Sequence, residues 1–287
     1  IMAADILGRW GRVAPGVLPE LASLLDDKDP RARAMAASAL GEIAQGGPGV
    51  LEALVRALDD QEAEVRRRAA NALGEIGRAA PGVIPGLTGL LHDEEDAVRG
   101  IAANALGLVG QATQGVIDEL VSLLDEASAY VRGRAAYALG LLDRSAPGVV
   151  LRLVRLLDDA SPSVRGVAAL ALGRLQEAKP RVIERLMDLL GDENAYVRWR
   201  AACALGMLGQ KEPDVIHELV ALLDADDKRI RGAAALALDA SIDKGGGNQE
   251  LGHQILSVLT DLLHNDGKLE YPIQHTRTTV AALARRL

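Results

Sequence analysis

Apolar residues recur along the chain in units of constant length. A leucine followed by glycine, most often preceded by alanine, returns at steps of 33 residues: Leu7, Leu40, Leu73, Leu106, Leu139, Leu172 and Leu205. The series continues at Leu238, where Asp239 replaces the glycine, and a degenerate copy ends at Leu283 after a step of 45 residues. A fixed period of this length indicates an array of stacked structural repeats.

Each unit predicts two helices. The first begins near a proline such as Pro15, which suits a first helical turn because the N–H that proline lacks has no partner there. It ends in an acidic turn. The second helix has apolar residues at helical and not strand spacing, as at Val65, Ala69, Leu73 and Ile76. No unit can bury its apolar face alone, so neighbouring units share one core and we predict an all-α solenoid.

The composition fits a core of small and aliphatic residues. The chain is 49% hydrophobic but has only two Trp, four Tyr and no Phe. Alanine on the inner sides of the helices lets neighbouring helices approach closely, so Ala, Leu and Val can fill the core. No stretch approaches the roughly 18 to 20 uninterrupted apolar residues of a membrane span. The net charge of -8 disfavours general binding to nucleic acid or anionic membranes.

An acidic residue and an arginine recur six residues apart before an Ala-Ala-x-Ala-Leu pattern. The pairs are Asp27 with Arg33, Asp60 with Arg66, Asp93 with Arg99, Glu126 with Arg132, Asp159 with Arg165 and Asp192 with Arg198. The period also fits ankyrin repeats and nearly fits TPR repeats, but Thr-Pro-Leu-His is absent and the TPR pattern needs a Phe. Over about residues 3–242 the sequence instead resembles the HEAT-repeat family, particularly its short bacterial repeats of the phycobilisome-lyase type.

The resemblance implies a right-handed α-solenoid, or α/α superhelix, whose second helices line the concave face. It also implies that the turn acids and the arginines form a structural ladder between adjacent repeats. The ladder residues are Asp27, Arg33, Asp60, Arg66, Asp93, Arg99, Glu126, Arg132, Asp159, Arg165, Asp192, Arg198 and Arg231. The turn residue before Arg231 is Ala225, so either Asp224 or Asp226 substitutes for an acid there or the ladder ends.

The repeats divide the chain into three segments. Residues 1–12 form a partial N-terminal repeat with a second helix only, and residues 13–242 form seven full repeats. Residues 243–287 form a linker and an irregular C-terminal repeat or cap. Because the ends of a solenoid need capping, we expect further repeats or a domain before Ile1.

Motifs for catalysis and cofactor binding are absent from the sequence. It has no P-loop, GxSxG elbow, HExxH motif, CxxC pair or EF-hand loop, and its five histidines share no repeat position. Cys203 is the single cysteine, which fits a reducing compartment, and no His or Asp partner is evident to activate it. We predict a cytoplasmic protein that is not an enzyme and binds no metal or cofactor.

One stripe of the second helix varies freely between repeats. Counted from the leucine of the Leu-Gly pair, positions -8, -4, -1 and +3 are nearly always apolar, whereas positions -9, -5, -2 and +2 vary. The variable stripe holds seven arginines and four acidic residues in an otherwise acidic chain. Since the resemblance places the second helices on the concave face, we predict that this stripe faces a ligand.

Aromatic residues concentrate on this stripe in two repeats. The candidate binding residues are Tyr130, Arg134, Tyr137, Tyr196, Trp199, Arg200, Cys203 and Met207. Trp199 lies at position -6, where four other repeats have glycine. The rings of the four aromatic residues, Tyr130, Tyr137, Tyr196 and Trp199, are expected to lie where packing does not require them. Exposed aromatic residues with arginine are typical of binding hot spots.

These patterns predict a non-enzymatic scaffold that binds a peptide or protein on its concave face, as the recognition or sensor segment of a larger protein. The resemblance implies an alternative, a phycobilin lyase or chaperone that binds a tetrapyrrole in the same groove. A HEAT-like DNA-binding protein is less favoured because the chain is acidic. The regular spacing also leaves open an engineered repeat array.

Overall fold

A computed structural model describes residues 17–43, 48–111, 113–142, 147–209 and 212–243. These residues form fourteen α-helices and no strand. The helices are α1 Val17–Ser23, α2 Pro30–Ile43, α3 Pro48–Arg56, α4 Ala63–Ile76, α5 Val83–Gly89, α6 Asp96–Val109, α7 Gln114–Ser122, α8 Ala129–Leu141, α9 Pro147–Arg155, α10 Pro162–Arg174, α11 Pro180–Asp188, α12 Ala195–Leu208, α13 Pro213–Ala221 and α14 Lys228–Asp243. Odd numbers are first helices and even numbers are second helices, and the predicted all-α solenoid architecture is confirmed.

The helices belong to two compact units, Ile1–Arg144 and Ser145–Leu287. In the first unit the second helices pack in sequence order, α2 on α4, α4 on α6 and α6 on α8. In the second unit α10 packs on α12, and α12 packs on α14. The predicted partial repeat at 1–12, and the irregular last unit apart from Asp243, lie outside the described residues. The division of the chain into segments 1–12, 13–242 and 243–287 therefore stays a prediction.

The repeated leucine lies at the centre of each described repeat. Its side chain is fully buried at Leu40, Leu73 and Leu106, and again at Leu172 and Leu205. Buried alanines surround it on the same helix. The core of each unit is thus a continuous seam of Leu and Ala between second helices, as the composition predicts.

The glycine of the Leu-Gly pair permits the close contact between these helices. A Cβ atom added at Gly173 would lie 2.7 Å from Ala204 Cα, and one at Gly107 would lie 2.7 Å from Ala138 Cα. Real Cβ atoms essentially never come so close to another atom. The glycine therefore lies against the backbone of the next repeat, and the alanine before the next repeated leucine forms the facing surface.

Replacing Gly173 with alanine is expected to destabilise the second unit by about 2 kcal/mol, because the added methyl group meets backbone that has no rotamer to change. Urea unfolding followed by circular dichroism measures this loss. The matched control is Gly148→Ala in α9, where an added Cβ has no neighbour within 4 Å. That substitution is expected to be neutral or stabilising by up to about 1 kcal/mol. Equal effects of the two substitutions would refute the packing role of Gly173.

All seven arginines of the predicted ladder hydrogen-bond to their own turn. In each described repeat Nη1 donates to the backbone carbonyl six residues earlier, at 2.7 to 2.9 Å. Arg231 does so to Ala225, which shows why alanine is tolerated at that turn. The six-residue spacing therefore reflects a bond to the main chain and not a pair of side chains.

Three of the ladder arginines also pair with a carboxylate, which comes from the following repeat. Arg66 donates Nε and Nη2 to the two carboxylate oxygens of Asp93, at 2.6 and 3.0 Å. Arg33 binds Asp60 in the same way, and Arg165 binds Asp192. These three guanidinium groups thus connect the main chain of one turn with the side chain of the next, in a geometry that suits arginine but not lysine.

The acids of these pairs have pKa values below the ordinary range. Burial would raise the pKa of Asp93, but hydrogen bonds from Arg66 and from the Glu95 amide outweigh burial and lower it. Burial opposes the shift at Asp60 and Asp192 as well, and there the equivalent bonds from Arg33 and Arg165 lower the pKa.

These shifts predict a loss of stability in acid. A carboxyl whose pKa is lower in the folded state contributes stability above its unfolded pKa, and that contribution is lost as the pH falls through the folded pKa. We expect the urea midpoint to fall between about pH 5 and about pH 2. The Asp93→Asn variant should show a smaller fall, because it lacks one shifted carboxyl. An unchanged pH dependence in that variant would contradict the assignment.

The ladder departs from its pattern at Glu126. Arg99 donates instead to Asp96 of its own helix, and its Nη2 lies 3.6 Å from Glu126 Oε2. The Arg99 Nε atom is buried without a hydrogen-bond acceptor among the described residues. The aspartates in this position also accept a hydrogen bond from the amide two residues later, as Asp93 does from Glu95 at 3.0 Å. Glutamate is too long for that turn.

Replacing Glu126 with aspartate is expected to stabilise the first unit by about 1 kcal/mol, since it adds the missing turn bond and a two-point pair with Arg99. Urea unfolding followed by circular dichroism measures the gain. The control is Asp93→Glu, the reverse change in the preceding turn, which should destabilise. A gain from both substitutions, or from neither, would show that acid length does not decide the geometry.

Candidate functional site

The predicted binding residues lie on two second helices in different units. Tyr130, Arg134 and Tyr137 are on α8 of the first unit. The others are on α12 of the second unit: Tyr196, Trp199, Arg200, Cys203 and Met207. All eight side chains are half-buried or exposed.

The residues on α12 form a cluster with one arginine from α14. The rings of Tyr196 and Trp199 meet edge to face, with centroids 5.8 Å apart. The Arg200 guanidinium carbon lies 4.3 Å from the Trp199 centroid and 5.1 Å from that of Tyr196. From α14, Arg229 lies 5.9 Å from the Trp199 centroid. We call Tyr196, Trp199, Arg200 and Arg229 the Trp199 cluster. Both cations lie within reach of the electron-rich face of an aromatic ring.

The two arginines of the cluster differ in their partners. Arg229 donates Nη2 to Asp227 Oδ2 at 2.8 Å, and this hydrogen bond lowers the pKa of Asp227. Arg200 pairs with no carboxylate among the described residues, and its buried Nε has no acceptor there. A guanidinium held against aromatic rings without a counter-charge is prepared to bind an anion, because its position and part of its desolvation are already set.

On α8 the corresponding residues form a smaller version of this arrangement. The Arg134 guanidinium carbon lies 5.2 Å from the Tyr130 centroid, and Tyr130 is exposed. Tyr137 lies further along the same helix and is half-buried. No tryptophan extends this group, because position -6 of this repeat is Gly133.

The tyrosine rings also pack between repeats, which corrects the expectation that packing does not require them. A Cβ added at Gly166 would lie 2.5 Å from Tyr196 Cε1 and 3.2 Å from Arg200 Cγ. A Cβ at Gly100 would likewise meet the Tyr130 ring, 2.8 Å from Cδ1. The glycine at position -6 thus makes room for a tyrosine at position -9 of the next repeat. The sequence shows this pairing of glycine with tyrosine in two neighbouring-repeat pairs, but the contact itself depends on how the helices pack.

The far end of the α12 stripe is apolar. Met207 is exposed, and Leu236 of α14 is 42% exposed. Cys203 lies between Arg200 and Met207 and is half-buried. Burial raises the pKa of the Cys203 thiol, against a smaller lowering by Arg200. The thiol is therefore protonated at neutral pH, which does not suit a nucleophile.

Three residues of the variable stripe are buried and not outward-facing. Ile101 on α6 is 8% exposed, Leu170 on α10 is 5% exposed and Ala233 on α14 is 4% exposed. Their apolar side chains belong to the core of their units. These stripe positions are therefore not open to a partner, in contrast to exposed stripe residues such as Met207 and Leu236.

In the first unit the stripe borders a groove of about 400 Å³ between α2 and α4. Met35 and Arg31 line it from α2, and Glu64 and Arg68 line it from α4. Glu64 already accepts hydrogen bonds from Arg67 and Arg68 at 2.7 to 2.8 Å. The charge of its carboxylate is therefore largely satisfied, unlike that of Arg200.

The described residues contain no group of three or more His, Cys, Asp or Glu side chains that could hold a metal ion. The neighbouring side chains of His217 and Glu218 are 3.9 Å apart and exposed. No helix in the described segments is long and apolar enough to span a membrane.

The family model for HEAT repeats matches residues 1–64, 51–140, 117–194, 150–239 and 183–269. A search of curated proteins finds no match. Among solved structures, the chain is similar to the Escherichia coli protein YibA, with 20% identity over 99% of this chain and 95% of that chain and a TM-score of 0.66. It is also similar to the complex of CpcE and CpcF of phycocyanin lyase from Nostoc sp. PCC7120, with 22% identity over 87% and 96% of the two chains and a TM-score of 0.56.

A further similar structure is an engineered protein, with 23% identity over 98% of this chain and 84% of that chain and a TM-score of 0.51. At these identities the likenesses show the fold alone. The site must therefore be interpreted from its own residues.

Proposed function

Since the chain belongs to the HEAT-repeat family, we propose that it is a non-enzymatic scaffold that binds a peptide or protein on the variable stripe of its second helices. That stripe is the predicted concave face. The chain would serve as the recognition or sensor segment of a larger protein. The principal contacts are the Trp199 cluster in the second unit and the Tyr130–Arg134 pair in the first.

The observation that carries this proposal is the Trp199 cluster. Tryptophan, tyrosine and arginine are the residue types most enriched in binding hot spots. Here they share one surface, with the Arg200 guanidinium 4.3 Å from the Trp199 centroid and without a carboxylate partner among the described residues. The fold does not need a tryptophan at this position, because other repeats have glycine there.

The position of Cys203 supplies a direct test. It is the only cysteine of the chain and lies on the proposed face between Arg200 and Met207. Peptides selected from a phage-displayed library of random dodecamers against the full chain should slow the reaction of the Cys203 thiol with N-ethylmaleimide. The rate constant is measured with and without saturating synthetic peptide.

A matched control moves the thiol to the opposite side of a repeat. In the Cys203→Ser, Glu184→Cys variant the cysteine lies at an exposed position of the first helix α11. The same peptides should leave its reaction rate unchanged. Peptides that bind but protect only the α11 cysteine would place the binding surface elsewhere and overturn the proposal.

A further inference from the structure

Resting on the proposed function, we propose that the partner of the second unit is a short acidic segment. One of its carboxylates binds Arg200, and an apolar side chain about three or four residues away binds beside Met207 and Leu236.

The stripe that α12 and α14 present is cationic at one end. On the two helices its residues are Tyr196, Arg200, Cys203, Met207, Arg229, Ala233, Leu236 and Ala240. None is acidic. Asp227, which lies outside the stripe, accepts a hydrogen bond from Arg229 of the stripe. Arg200 is left as the cation without a counter-charge, so charge complementarity favours an anionic partner.

The chemistry of Arg200 favours a carboxylate. Its Nε is buried, so the Nη atoms at the end of the guanidinium are the donors that a partner reaches. A guanidinium can bind the two oxygens of a carboxylate with parallel hydrogen bonds. Contact with the Tyr196 and Trp199 rings excludes water from one side of the pair, which strengthens the electrostatic attraction.

The apolar end of the stripe lies where α12 and α14 come close together, at Gly206 and Ala237. A Cβ at Gly206 would lie 2.8 Å from Ala237 Cα, so α12 and α14 run side by side at that point. Met207 and Leu236 directly adjoin these two residues in sequence, and both are about 40% exposed. Together they offer an apolar surface for one side chain of a partner.

The two ends fix the spacing within the partner. Met207 lies seven positions after Arg200 on the helix, a rise of about 10 Å. An extended chain advances about 3.3 Å per residue. An acid and an apolar residue three to four positions apart therefore match the two ends. Between them, the half-buried Cys203 and the buried Ala233 leave room for the backbone of the segment.

The test examines peptides selected from the random dodecamer library against the full chain. Enriched sequences should share Asp or Glu and, three or four positions away, a large apolar residue. For a synthetic enriched peptide, exchange of the acid for its amide should weaken binding to the wild-type chain at least tenfold, measured by fluorescence anisotropy. The same exchange should change binding to the Arg200→Gln variant less than twofold.

The control variant is Arg181→Gln, which removes an exposed arginine from the first helix α11 and should retain the tenfold acid effect. The exchange on the peptide keeps the test valid even if Arg200→Gln perturbs folding. Peptides that protect Cys203 but bind equally well as amides would overturn the acidic partner and leave the proposed function standing. Selection that yields no peptide able to protect Cys203 would overturn both.

Discussion

Replacing Arg66 with methionine is expected to lower the free energy of unfolding by about 3 to 5 kcal/mol. Methionine replaces the aliphatic stem of the arginine side chain but lacks its guanidinium group and its charge. The Asp93 carboxylate, only 5% exposed, would then keep its charge without the two hydrogen bonds at 2.6 and 3.0 Å. The carbonyls of Asp60 and Gln61 would lose their donors as well.

The neighbouring Arg67 provides a matched control on the same helix. It pairs with Glu64 three residues earlier, and both side chains are partly exposed. Arg67→Met should therefore cost less than about 1 kcal/mol, as is usual for surface ion pairs. Urea unfolding followed by circular dichroism compares the two variants. Equal losses would mean that the connection between turns does not stabilise the first unit.

Replacing Trp199 with alanine is expected to weaken binding of a selected peptide about 30-fold or more, which corresponds to about 2 kcal/mol. The Trp199 centroid lies 4.3 Å from the Arg200 guanidinium carbon and 5.9 Å from that of Arg229. Loss of the Trp199 ring removes the aromatic surface and the cation–π contacts of Arg200 and Arg229. Fluorescence anisotropy of the labelled peptide measures the dissociation constant.

Stability separates a binding role of Trp199 from a packing role. Because other repeats have glycine at this position, Trp199→Ala should change the free energy of unfolding by less than about 1 kcal/mol. Tyr196→Ala should lower both affinity and stability, because that ring covers Gly166. Leu151→Ala, which removes an exposed apolar side chain from the first helix α9, should affect neither. Unchanged peptide affinity in Trp199→Ala, together with lost stability, would make Trp199 a packing residue.

The repeat, the two helices of each unit and the buried leucines could be predicted because they depend on periodicity within one repeat. The glycines of the Leu-Gly pairs are a harder case: at Gly173 the reason for glycine is Ala204 of the next repeat. The sequence shows the pattern but not the facing backbone. Such contacts join residues about 30 positions apart, and their register appears only when the helices are packed.

The same limit applies to the candidate site. Spacing alone placed Tyr196 and Arg200 on one stripe of a second helix with Trp199 beside it, and the structure brings these side chains into contact. The spacing in the sequence did not indicate that Tyr196 packs on Gly166 or that Arg229 approaches Trp199 from the next helix. Both depend on how α12 is placed between its neighbours. The missing acceptor of the buried Arg200 Nε is likewise a property of the packed structure.

Photo-crosslinking tests most directly whether the Trp199 cluster is the binding surface. A selected acidic peptide that carries a benzophenone beside its apolar residue is irradiated with the full chain, and the modified residues are identified by tandem mass spectrometry. The proposed site predicts crosslinks within Ala195–Leu208 and Lys228–Asp243, suppressed by the unlabelled peptide but not by its amide form. Crosslinks confined to the first helices α9, α11 and α13 would contradict it.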